Sequence, residues 1–140
     1  MVAAVALAGC SSGRQCASPD AGGIVASFQP RQQFSGMLEN FVKRSQTAAI
    51  ISRREGPAAE KNLSQAIDSA VERHASEWEQ NLVSGWATLS ADELDQVCTA
   101  LNERDQATFE LFAKRVGPEV RSRNEPVLKR AFVEVLQQAF

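Results

Sequence analysis

The sequence predicts an all-α fold: a compact antiparallel bundle of four to five helices behind a flexible N-terminal tether. Three observations point there. Apolar residues recur at three- and four-residue steps through four long stretches, as they do on the buried face of a helix. Gly-Pro and Ser-Gly pairs and a Ser-x-x-Glu box stand where such helices would stop and start. No run alternates apolar with polar residues beyond a few positions, and no Asn-Gly or Asp-Gly pair marks a hairpin.

The first helix is expected over about 33–54, with Phe34, Met37, Leu38, Phe41, Val42 and Ala49 on one face and Ile50 and Ile51 off it. Gly56-Pro57 breaks the chain, and Pro57 is suited to the first turn of the next helix because its missing N–H would have no partner there. That second helix, about 57–83, carries Leu63, Ala66, Ile67, Ala70, Val71, His74, Trp78 and Leu82 as its stripe, and Ser84-Gly85 is expected to stop it. Ser90 and Glu93 form a capping box that opens a third helix running to about residue 116. Its stripe is Leu94, Val97, Cys98, Leu101, Thr108, Phe109, Phe112 and Val116, with Asp105 between Leu101 and Phe109. Gly117-Pro118 is expected to end it. From 118 to 140, Val120, Val127, Leu128, Ala131, Phe132, Val135 and Leu136 mark a last apolar face. Asn124 as a cap and Pro126 in a first turn predict a short helix followed by a longer one, with a single kinked helix as the alternative.

The N-terminus carries a different kind of signal. Residues 2–9 read Val-Ala-Ala-Val-Ala-Leu-Ala-Gly, followed by Cys10 and Ser-Ser-Gly. The tetrad Leu7-Ala8-Gly9-Cys10 resembles the lipobox of bacterial lipoproteins. That resemblance implies that the Cys10 sulfur receives diacylglycerol and that cleavage leaves Cys10 as the new N-terminus. No Lys or Arg precedes the apolar run, so Met1 is read as an internal start or a trimmed end. The expected organisation is a signal remnant over 1–9, a lipidated cysteine and tether over 10–30, and a helical domain over 31–140. The tether is read from the Ser, Gly and Pro content of residues 11–23, with Ile24, Val25 and Phe28 as a short docking segment before Pro30.

With Cys10 lipidated, Cys16 and Cys98 remain as an even pair, which an oxidising periplasm would be expected to join. The alternative is a buried, inert Cys98 with a mobile Cys16. No metal site is expected, because no two cysteines stand at ligand spacing and His74 is the sole histidine.

Chemistry is sparse. Phosphate-binding, dinucleotide, zinc-protease and serine-hydrolase motifs are all missing, and no cofactor is expected. Fifteen Lys+Arg against 17 Asp+Glu, without a basic stripe, argue against nucleic acid as a partner. Asp92, Glu93 and Asp95 suit helix capping better than calcium, since the spaced oxygens of an EF-hand loop are lacking. His74 and Asp105 are polar residues on apolar stripes, readable as stripe-edge groups or as the lining of a small pocket. The segment 86–94 resembles a motif in a family of uncharacterised helical proteins of the proteobacterial envelope. Leu89, Ser90, Glu93 and Leu94 carry the match, which implies a helical envelope protein and no activity.

The expected function is therefore binding without catalysis. The chain is read as a lipid-anchored periplasmic module, attached more readily to the outer than to the inner membrane, that holds a protein partner as an inhibitor or as an immunity protein against a periplasm-acting toxin. Ile50, Ile51, Val83 and Leu111, with Phe140, are its candidate contact residues, or else they complete the bundle or a homodimer. An accessory subunit of an envelope complex and a small-ligand carrier with a pocket near His74 are the alternatives.

Overall fold

The structure, a computed structural model, describes residues 16–139, without the side chains of residues 48, 51 and 52. The signal-like run, Cys10, the side chain of Ile51 and Phe140 lie outside the described residues. The fold is all-α, as expected, with six helices and no strand among the described residues. They are α1 (Ala21–Ser27), α2 (Pro30–Lys43), α3 (Gln46–Glu55), α4 (Pro57–Trp86), α5 (Ala91–Glu103) and α6 (Gln106–Ala139). Two units emerge: one joins the residues through Pro30 to Glu79–Arg123, the other joins Arg31–Trp78 to Asn124–Phe140.

In the first unit, residues 16–30 are folded, which corrects the expectation of a tether reaching to residue 30. Cys16 is bonded to Cys98 with the two Cα atoms 5.4 Å apart. Asn102 grips the same residue through both edges of its amide: Oδ1 accepts from the Cys16 N–H at 2.9 Å and Nδ2 donates to the Cys16 carbonyl at 3.1 Å. Asp20 then caps α1 by accepting from the Gly23 N–H at 2.7 Å. α1 packs on α5, with Ile24 and Val25 fully buried. A polar, Gly-rich composition was outweighed by one cross-link, one cap and two apolar side chains.

Next to this core, Phe28, Trp86 and Phe109 form a ring triangle with centroids 5.6, 5.8 and 5.8 Å apart. Ser84-Gly85 does not stop α4, which continues to Trp86. Gly85 is buried inside the helix because Val120 Cγ2 occupies the place a β-carbon would take. The capping box forms as expected: the Ser90 hydroxyl accepts from the Glu93 N–H and the Glu93 carboxylate accepts from the Ser90 N–H. The expected third helix is in fact two. Arg104 takes a left-handed conformation (φ 60°) that ends α5, and Asp105 caps α6. No glycine announces this turn, and a non-glycine residue there is uncommon.

In the second unit, the expected helix over 33–54 also divides. α2 ends at Lys43, where the Ser45 N–H and hydroxyl both donate to the Val42 carbonyl, at 3.0 and 2.8 Å. Gly56, at φ +69°, makes the turn into α4 that its sequence announced. Phe34, Leu38 and Val42 are fully buried at strict four-residue steps, and Phe34 stacks on Trp78 at 4.8 Å. Met37 and Phe41, expected on the same buried face, are 44% and 41% exposed. α6 runs through Gly117, Pro118 and Pro126 without a break, against both expected stops. Each proline removes a backbone bond and crowds the preceding turn, at about 3 kcal/mol. Burial of Val116, Asn124 and Val127 around them favours continuity. Asn124 is not a cap: it is 3% exposed and its Nδ2 donates to the Trp78 carbonyl at 3.3 Å.

Within each unit α4 and α6 run antiparallel. In the first, Asn81 reaches the Arg123 carbonyl and Gly85 meets Val120. In the second, His74 faces Glu134 and Glu77 faces Arg130.

Candidate functional site

The second unit places His74 on α4 opposite Glu134 of α6. His74 Nε2 stands 2.6 Å from Glu134 Oε2, and Arg73 pairs with the other carboxylate oxygen. One turn along, Arg130 pairs with Glu77 at 2.8 Å, and Arg31 pairs with Glu72. The His74 side chain is 15% exposed and that of Glu134 24%, so this is a half-buried cluster that cross-braces two helices.

Asp105, the other polar residue on an expected apolar stripe, is exposed and belongs to the first unit. Its carboxylate accepts from the Thr108 N–H at 3.2 Å and from the Thr108 hydroxyl at 2.7 Å, which hold its pKa below the usual value. It is a helix cap, and the stripe assignment fails because the helix it was drawn on ends two residues earlier, at Glu103.

Sequence reasoning missed Glu134, although a signal was available. Arg73 and Glu77 on one helix and Arg130 and Glu134 on another are spaced by four residues in the same order. Laid antiparallel, they form two complementary pairs.

Burial acts to raise the Glu134 carboxyl. The hydrogen bond from His74, then the bond and charge of Arg73, overcome it and hold the group below its ordinary value of 4.5. A carboxylate depressed in this way adds stability in full above its unfolded value, and loses it as pH falls through the folded value. Glu134→Gln should therefore lower stability at neutral pH and shrink the drop between about pH 7 and about pH 3. Urea midpoints at the two pH values check this, and an unchanged drop would contradict it.

An open polar groove of ≈ 240 Å³ lies one turn further along the same helices, lined by Asn62, Gln65, Ala66, Ser69 and Gln138. His74 is not among its lining residues. Among the described residues, no group of three or more His, Cys, Asp or Glu is placed to hold a metal ion. No described helix is long and apolar enough to cross a membrane.

Of the candidate contact residues, Ile50 is 51% and Leu111 67% exposed, whereas Val83 is half-buried and the Ile51 side chain lies outside the described residues. To these the structure adds Met37, Phe41 and Val133, the last 50% exposed. Met37 and Phe41 are one helical turn apart, and the Phe41 ring meets Phe132 edge-on at 4.8 Å. Helical spacing could not separate them from the core, because they flank the buried line of Phe34, Leu38 and Val42. In the first unit, Arg115 lies over the Phe112 ring at 5.7 Å and pairs with Glu93 at 2.6 Å.

Comparison with protein-family models, curated proteins and solved structures finds no match.

Proposed function

We propose that this chain is a bacterial envelope lipoprotein, acylated at Cys10, whose folded part works by binding a protein partner. The observation that carries the binding reading is the exposure of Met37 and Phe41 on one turn of α2, with the Phe41 ring set edge-on against Phe132. Aromatic and methionine side chains are enriched in the cores of protein interfaces. The Cys16–Cys98 bond supports an oxidising compartment, and the Leu7-Ala8-Gly9-Cys10 tetrad supports a lipid anchor there. Within this reading the partner is a toxin acting in the periplasm, which the protein neutralises stoichiometrically. Membership of a resident envelope complex is distinguished from it by the partner's identity.

The test is recovery of the partner from envelope extract with the anchored protein, followed by titration of variants. Met37→Asp or Leu111→Asp, whichever strikes a central anchor, should weaken binding by more than ~2 kcal/mol, about thirty-fold. His74→Gln should retain binding. Loss of binding in a stably folded His74→Gln protein, with both surface variants unaffected, would instead place function at the His74 cluster.

A further inference from the structure

We infer that the Cys16 end of the first unit is held against a lipid surface, within about 20 Å of it. This rests on the reading that Cys10 is acylated. Five residues, Ser11 to Gln15, separate Cys10 from Cys16. Six Cα steps span at most about 20 Å, whatever path they take.

The limit matters because Cys16 is a fixed point. It is 3% exposed, its sulfur is bonded to Cys98, and both polar groups of its backbone are held by Asn102. Asp20 caps α1 four residues later, and Ile24 and Val25 seat that helix in the core. Were the chain free as far as Pro30, twenty steps would allow about 70 Å. Folding of residues 16–30 thus cuts the maximum reach more than threefold.

Among the described residues close in sequence to Cys16 and Asn102, the exposed Asp20, Glu103 and Asp105 stand against Arg104, so the folded surface there does not by itself draw anionic lipid. The apposition is carried by the acyl chain and the short spacer.

The test uses the full precursor with a complete export signal, purified in acylated form and reconstituted into phosphatidylcholine vesicles containing an acceptor dye. A donor dye is placed by Thr99→Cys, at an exposed position beside Cys98 on α5. A second protein carries ten Gly/Ser residues inserted between Gln15 and Cys16, which raise the maximum reach from about 20 Å to about 55 Å. Energy transfer from the donor to the vesicle should fall by at least about half on insertion. Labelled fatty acid should enter both proteins but not Cys10→Ser. Acylation with transfer unchanged by the insertion overturns the apposition and leaves the anchor standing. Absence of fatty acid from Cys10 overturns both.

Discussion

Replacing Cys16 and Cys98 together by alanine is expected to lower stability by about 4 kcal/mol. The bond closes a loop across 82 positions of sequence, and in the chain-entropy model the loss of that closure frees the unfolded ensemble to that extent. For a chain of this length the change corresponds to a fall in Tm of about 15 °C. Reductant should destabilise the oxidised wild type by the same amount and leave the double variant unmoved. Equal denaturation midpoints for wild type and double variant would show that the bond contributes nothing. Asn102→Ala offers a finer probe. It removes two hydrogen bonds to the Cys16 backbone, at about 1 kcal/mol each, and should loosen the segment around Cys16 without unseating α1. Hydrogen exchange at the Cys16 amide reads that change directly.

Phe34→Ala should cost about 3–5 kcal/mol, the second large effect. The ring is fully buried and stacked on Trp78, whose indole N–H reaches Gln33 Oε1 at 3.4 Å. Truncation would remove both the transfer free energy of the ring and its packing against the indole, and would leave a cavity that neighbouring helices fill only in part. Phe34→Leu, which keeps more of the volume, should cost much less. The measurements are chemical denaturation and the Trp78 emission maximum, which should move to longer wavelength as water reaches the cavity. A Phe34→Ala protein within about 1 kcal/mol of wild type would mean that Phe34 is not a core residue.

The candidate site was only partly legible. His74 was visible as a polar residue on an apolar stripe, but its partner depends on which helix lies opposite. The adjacent helix in sequence offered Asp105, whereas α6, a later helix, supplies Glu134. Of the contact residues, Ile50 and Leu111 stood off the periodic faces and are exposed, while Val83 is half covered. Met37 and Phe41 went unrecognised because a helix face about 100° wide includes residues at its margins, and only packing decides which margin is covered.

What the sequence determined by itself is local: the helical class, the Gly56 turn and the Ser90–Glu93 box. These follow from side-chain period, a backbone preference or a capping group within a few residues. The Cys16–Cys98 pair was an expectation that depended on Cys10 being lipidated, with a buried, inert Cys98 as the alternative. Tertiary structure decided the rest. α6 continues through Pro118 and Pro126 because burial of Val116, Asn124 and Val127 opposes the local tendency to break. α5 ends at Glu103, and the backbone at Arg104 enters a region that a non-glycine residue reaches at a cost and that no composition signal marks. Residues 16–30 fold because a cysteine some eighty positions away and an asparagine beside it hold the segment in place. In the first and the last of these, contacts distant in the chain oppose a local preference of a few kcal/mol, and sequence neighbours carry no record of those contacts.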